Sequence, residues 1–412
     1  MLYDTTIIYI CKCNSTKLNG AEMAHSITSF EFAERRSRAA SGARHAGLDG
    51  LLVCSRGGGG LDRYADVSYL SNHYTQFPFI PDYPGAWTAR GHTFIVLPVD
   101  GRPHLIIDVP DDGRISFGDD PVIYTDLVIE STIEALKKAG LEKSRIGLVG
   151  GDTLAYAWAK RLEEALPAMR IEPADGILSL LRSVKSSAEI EALRKSSVLG
   201  SRMIEAMLGV AQPGASHGEI VAAGLNVLVP AGGMLYSSFM ASGRGGETPK
   251  LVKSNFPTWG NPERLEKGDW IRFGISGVLD GYVFDLARAK AIGPVTNRQV
   301  DLFEAANASV ESAIAAIKPG ATAHDIAEAG LGKQVELGFE IKGVFSAMGH
   351  GIGLGWDEPW LTIGEKREIV PGMVLCVERT VTKDGYLGDF EETVVVTNTG
   401  AELITSAPKR DW

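Results

Sequence analysis

Cysteine is scarce, with four in 412 residues, so a disulfide-stapled scaffold is excluded and a reducing cytoplasm is the expected compartment. Cys11-Lys12-Cys13 has no further ligand-spaced partners, which removes a zinc knuckle. No stretch of about 18 consecutive apolar residues occurs, so no transmembrane helix is expected. Positive charge is also short: 41 Lys and Arg face 51 Asp and Glu, the net charge is −10, and there is no basic run. Nucleic acid and anionic membrane are therefore poor partners, and a small-molecule substrate is the expected one. The apolar stretch at residues 7–10 follows Asp4, without a basic lead or a small-residue cleavage site. Residues 1–28 read as an N-terminal extension, not a signal peptide, with Met23 as an alternative start. The loop Ser55-Arg56-Gly57-Gly58-Gly59-Gly60 lacks the Lys-Ser/Thr ending of a phosphate cradle and reads as a strand-end loop.

The chain exceeds one ordinary domain, and its 44% hydrophobic content is enough for two cores. A helix is predicted over residues 29–46, then a strand over 50–54. Apolar runs at 93–97, 104–107 and 145–149 read as further buried strands separated by helices. Residues 29–176 thus form an α/β domain. Ser186-x-x-Glu189 is a capping box opening a long amphipathic helix through Leu208, within a second domain spanning 177–412. A helix over 299–317 is stopped by Pro319-Gly320. Helices alternating with antiparallel hairpins give the second domain an α+β architecture.

The chemistry-bearing residues gather in the last third. Asp285, His350, Glu378 and Glu391 combine one imidazole with three carboxylates, donors suited to Mn, Fe, Co or Zn. Residues 270–288 read as a β-hairpin turning at Asp280-Gly281, and 373–381 and 390–397 as strands, so rigid sheet would carry the ligands. Singly, each is equally a packed histidine or an ordinary sheet carboxylate. Together they place acids on apolar strands such as Val374-Leu375-Cys376-Val377, where burial without a counter-charge is costly.

These segments carry a resemblance. Gly268-Asp269, Gly281 to Arg288 (Gly-Tyr-x-x-Asp-x-x-Arg), Gly349 to Gly353 (Gly-His-Gly-Ile-Gly), Pro371 to Glu378 and Glu391 to Thr397 resemble the M24 metallopeptidase superfamily. That superfamily has the pita-bread fold of Xaa-Pro aminopeptidase, prolidase, methionine aminopeptidase and creatinase. Phe30-x-x-Arg-x-x-x-Ala and Gly47 to Val53 resemble its creatinase-type N-terminal domain, and Leu181 to Ser186 its interdomain linker. The resemblance implies Asp285, His350, Glu378 and Glu391 as metal ligands, with Glu378 also shuttling protons. The family's peptidases have a fifth ligand, an Asp eleven positions before Asp285, where this chain has Gly274. Pro257, Ser346 and Asp357 stand where the Xaa-Pro enzymes have substrate-handling histidines.

The implied cofactor is one divalent transition metal, with a metal-free hydrolase as the alternative. Glu378, His350 and Asp357 are the expected catalytic residues, with Asp357 or Glu392 protonating the leaving nitrogen. Trp356, Trp360, Tyr74 and Trp87 are expected to wall the substrate, and Arg244 and Arg379 to bind a carboxylate. The aromatic loop at 73–87 would reach a neighbouring subunit's site in a homodimer. The expected activity is hydrolysis of a C–N or amide bond in a small, non-peptide substrate. The alternatives are an Xaa-Pro aminopeptidase or prolidase, a lyase acting on dimethylsulfoniopropionate, and an inactive binding protein of the same fold.

Overall fold

The computed structural model describes residues 27–57, 61–75, 77, 91–111, 113–243, 250–252, 264–341, 345–384 and 386–410. Thr28 caps helix α1 (Ser29–His45) by accepting from the Glu31 N–H. Then come β1 (Gly50–Arg56), α2 (Ala65–Ser71), β2 (His92–Pro98), β3 (His104–Ile107), β4 (Val122–Tyr124), α3 (Val128–Lys138), β5 (Arg145–Val149), α4 (Tyr156–Ala165) and β6 (Arg170–Pro173). They build a six-stranded sheet in the order β4-β3-β2-β1-β5-β6, with β2 antiparallel to both β1 and β3. β1 and β2 are buried almost throughout, which is why they read as unbroken apolar runs. One expectation fails here: β2 and β3 are joined by a short turn through Gly101 (φ +127°), not by a helix.

Helix α5 (Asp175–Ser183) leads into α6 (Ser187–Val210), whose Ser186 and Glu189 form the reciprocal capping box. The remaining elements are α7 (His217–Leu228), β7 (Met234–Gly243), β8 (Lys250–Val252), β9 (Trp270–Leu279), β10 (Tyr282–Ala291), α8 (Asn297–Ala316), α9 (Ala323–Glu336), β11 (Gly349–Ile352), β12 (Trp356–Trp360), β13 (Val374–Lys383), β14 (Tyr386–Val396) and β15 (Ala401–Leu403). Two sheets result, β10-β9-β7-β8 and β12-β11-β13-β14-β15. Asp280 (φ +51°) and Gly281 (φ +85°) are both left-handed at the β9–β10 turn, the backbone that the Asp-Gly pair favours. Helices α6 and α7 pack on the first sheet and α8 and α9 on the second. Among the described residues no helix is long and apolar enough to cross a membrane.

Candidate metal centre

Strands β10 and β14 pack against each other where the two sheets meet. Period-two alternation sends Ile271, Phe273, Ile275, Phe284 and Leu286 into the core with α6 and α7. Arg272, Gly274, Ser276 and Asp285 consequently share the opposite face. In the second sheet Leu375, Val377, Phe390 and Val394 fill the core with α8 and α9, leaving Cys376, Glu378, Glu391 and Thr393 on the other side. Glu378 lies directly opposite Glu391, and Asp285 opposite Ser276. His350 enters from β11, paired with Cys376. Its neighbour Gly349 has φ +128°, and any Cβ there would lie 1.9 Å from the Cys376 carbonyl oxygen, so only glycine lets β11 come this close.

His350 Nε2 stands 3.8 Å from Asp285 Oδ2 and 3.7 Å from Glu378 Oε1. Its Nδ1 lies 2.8 Å from the Gly351 carbonyl oxygen, which can only accept, so Nδ1–H donates and the Nε2 lone pair faces the carboxylates. Burial pulls the imidazole pKa down to about 4, against the Gly351 contact and the charge of Asp357. At neutral pH the ring is uncharged, the form that ligates a metal.

The acids shift the other way. Burial pushes Asp285 up to about 7, opposed by the Trp356 indole N–H, which donates to Oδ2 at 2.8 Å, and by the Leu286 N–H. Burial and then the charge of Asp285 push Glu378 up to about 8. Burial, Asp285 and Glu378 raise Glu391 well above the carboxylate range. Mutually repelling buried acids ask for a cation. Glu391 Oε1 is buried with no hydrogen-bond partner among the described residues, an orphan acceptor beside a neutral imidazole. This donor set fits a divalent ion. Asp285 and Glu378 keep 14% and 25% of their side chains exposed, so the cluster opens to solvent on their side.

Sequence reasoning missed Cys376, read there only as part of an apolar strand. Donor atoms of His350, Cys376 and Glu391 lie within 4.8 Å of one another. The thiol is 3.4 Å from Thr393 Oγ1, and Thr393 in turn donates to the Asp285 carbonyl at 3.0 Å. Position parity in β13 is the signal that could have found it, because residues 376 and 378 share a face.

Several expected site residues are committed elsewhere. Asp357 accepts from Arg182 at 2.5 Å and from Lys185 at 3.1 Å, both partly or fully buried, so it ties the α5–α6 junction to β12 and is not a free proton donor. Glu392 faces away from the cluster and is held by Arg288 at 2.8 Å and by Thr405. Arg379 is 1% exposed and donates to Gln334 Oε1 at 2.6 Å and to the Phe345 and Ala347 carbonyls, so its guanidinium is engaged inside the fold. Tyr74 packs edge-on to Tyr64 and lines a cavity of about 230 Å³ with Phe32, Met234, Tyr282 and Leu354 of its own chain, whose lining includes none of the four candidate ligands. Trp87, Arg244 and Pro257 lie outside the described residues, and Ser346 is exposed. The two tryptophans do border the site: the rings of Trp356 and Trp360 lie 6.1 and 5.3 Å from that of His350, and Trp360 is 44% exposed.

A two-domain chain whose antiparallel sheets gather one histidine and three acids on a common face has the build of a hydrolase with a candidate metal centre. Residues 191–398 match Metallopeptidase family M24, and residues 35–184 match the Creatinase/Prolidase N-terminal domain. The chain belongs to family M24 and is a hydrolase of that family. It is similar to an uncharacterized hydrolase/peptidase, y4tL, of Sinorhizobium fredii, 25% identical over 88% of this chain and 91% of that one. It is also similar to the Xaa-Pro dipeptidase of Pyrococcus furiosus, 26% identical over 64% of this chain and 74% of that one. Among solved structures, dipeptidase PepE from Mycobacterium ulcerans superposes with a TM-score of 0.75 at 23% identity, covering 93% and 98% of the two chains.

Proposed function

We propose that the protein is a metal-dependent dipeptidase-type enzyme that hydrolyses an amide bond in a short peptide, using one divalent ion of the Mn, Fe, Co or Zn group. The observation that carries this reading is the His350 Nε2 lone pair set 3.8 and 3.7 Å from Asp285 and Glu378, with Glu391 Oε1 orphaned beside them. The peptidase and dipeptidase names of the relatives weigh toward a peptide and away from the non-peptide substrate that the missing histidines suggested. A bound ion would polarise the scissile carbonyl and acidify a water. Glu378, whose side chain is one-quarter exposed, would be the group placed to accept a proton from such a water, once ionised beside the metal, and to pass it toward the leaving nitrogen. His350 and Glu391 hold position. Trp356 fixes the Asp285 carboxylate through its indole N–H, and with Trp360 it excludes water from one side. A cytoplasmic homodimer is part of this reading.

The test is a panel of dipeptides offered to protein stripped with chelator and reloaded with Mn²⁺, Co²⁺ or Zn²⁺. Metal-dependent release of free amino acids is expected. Metal-loaded, folded protein that cleaves no dipeptide but turns over a betaine or an acylated amino acid would remove the peptide reading.

A further inference from the structure

Gly274 and Arg272 sit two residues apart on the face of β9 that looks into the acid cluster. Nothing steric demands glycine at 274. An added Cβ there would meet Arg272 Nη2 at 3.6 Å and the Ala287 and Phe239 Cβ atoms at 3.8 Å, all ordinary contacts. Glycine in a strand interior is also a mild cost, since it packs nothing. The bare position matters for what stands beside it: the Arg272 guanidinium, with Nη2 3.6 Å from where a Cβ at 274 would stand. The guanidinium is held there, because Arg272 Nε forms an ion pair with Asp389 Oδ2 at 2.8 Å. Asp389 is 2% exposed and is itself anchored by the Thr380 hydroxyl at 2.5 Å. It lies two residues before Glu391 on the same face of β14, so the pair bridges the two sheets. The positive charge of Arg272 stands near enough to Glu378 and Glu391 to act on both carboxylates.

We infer that Arg272 takes the place of a second divalent ion, so that this centre holds one metal and one fixed organic cation. The inference rests on the reading that Asp285, His350, Glu378 and Glu391 bind a divalent ion. Arginine suits the task because its charge persists at every working pH and its planar fork can face two carboxylates at once. A new carboxylate at 274 would pair with the guanidinium already beside it and would not recruit a metal. Removing the guanidinium alone would leave the first ion with more uncompensated negative charge to bind.

The experiment compares wild type with Gly274→Asp, Arg272→Gln, Arg272→Lys and the Arg272→Gln/Gly274→Asp double variant. Each is stripped, checked for folding by circular dichroism and titrated with Mn²⁺, with bound metal counted by elemental analysis. Expected are one ion per chain in wild type, in both Arg272 single variants and in Gly274→Asp, and two in the double variant. Arg272→Gln should bind its single ion about tenfold more tightly, the scale of one unit charge a few ångströms away in a half-buried site, and Arg272→Lys, which keeps the charge without the fork, should fall between Arg272→Gln and wild type. Two tightly held ions in wild type or in Gly274→Asp, or one in a folded double variant, overturn the inference while leaving the metal reading intact. If the double variant does not fold, equal Mn²⁺ affinity in wild type and Arg272→Gln overturns it, since a merely structural ion pair predicts that equality. Absence of bound metal in every folded variant removes the metal reading, and the inference with it.

Discussion

Metal binding should be tightly coupled to proton release between pH 6.5 and 8. In the metal-free cluster Asp285 rises to about 7 and Glu378 to about 8, each several units above its reference. At about 1.36 kcal/mol per unit, either displacement corresponds to roughly 5 kcal/mol as an upper bound, because the two acids act on each other and Glu378 keeps 25% of its side chain in solvent. Their folded-state pKa values lie above the unfolded ones. Their contribution to stability is therefore full below about pH 4 and is lost as the pH rises through about 7 to 8. His350 works in the opposite sense: lowered to about 4, it costs stability only as the pH falls below its ordinary value near 6.5. Above that value the histidine drops out and the carboxylates alone decide. The Tm of stripped protein should fall as pH rises across this window. Metal-loaded protein should lack that slope, because its ligands are already ionised. Loading at pH 7 should expel one to two protons from Asp285 and Glu378, and any proton held by Glu391 in addition, so apparent affinity should climb up to about tenfold per pH unit for each proton displaced. Calorimetric titration of stripped protein with Mn²⁺, in two buffers of different ionisation heat, measures the proton count directly. Buffer-independent heats together with a flat affinity from pH 6.5 to 8 would refute the raised carboxylates and the cation-seeking reading built on them.

Replacing Glu378 with Gln should cut kcat by about 10² to 10⁴-fold, through loss of proton transfer and of a ligand; metal analysis alongside the kinetics separates the two. Trp356→Phe keeps the ring and removes the N–H that orients Asp285, so metal affinity should weaken by about 10-fold or more in the same titration. Asp357→Asn strips the counter-charge from Arg182 and Lys185 and should destabilise the fold by about 3 to 5 kcal/mol in denaturant unfolding, with KM of the surviving folded enzyme little changed. A large KM change without destabilisation would return Asp357 to the substrate pocket. If Pro257, Ser346 and Asp357 stand where the Xaa-Pro enzymes have substrate-handling histidines, as the resemblance implies, non-proline dipeptides should be cleaved faster than Ala-Pro or Gly-Pro, a comparison that one competition assay settles.

The elements most readable from sequence were those with strong local chemistry. Ser186-x-x-Glu189 announced α6 because both halves of a capping box are visible in one line of residues, and Asp280-Gly281 announced the hairpin because few pairs accept two left-handed positions in succession. The three acidic candidate ligands were legible because acids on apolar strands violate the local pattern, and His350 because its glycine-flanked motif carries the family resemblance. The roles of charged residues were not, because they depend on partners far away in the chain. Asp357 reads as an acid beside a ligand, yet Arg182 and Lys185, more than 170 positions earlier, claim both its oxygens. Arg379 follows Glu378 in sequence, and the strand alternation that turns Glu378 toward the cluster turns Arg379 toward Gln334.

The same alternation explains why Cys376 and Arg272 escaped notice. A cysteine among Val374, Leu375 and Val377 looks like one more core residue, and its chemistry appears only when β11 brings His350 against it. Arg272 looks like a surface charge in a strand until its guanidinium is seen beside the bare position at Gly274 and its Nε is seen paired with Asp389 of the other sheet. A missing ligand is visible in one dimension; its replacement is visible only in three. Loss of an acid from a cluster of like charges lowers the repulsion that a cation must relieve, and a guanidinium fixed by Asp389 relieves more of it. Decay of the site would leave the remaining acids free to drift to neutral residues. Asp285, His350, Glu378 and Glu391 instead remain on one face, with Trp356, Thr393 and the Gly351 carbonyl holding them or their strands in place. That is the arrangement the proposed one-ion centre would need.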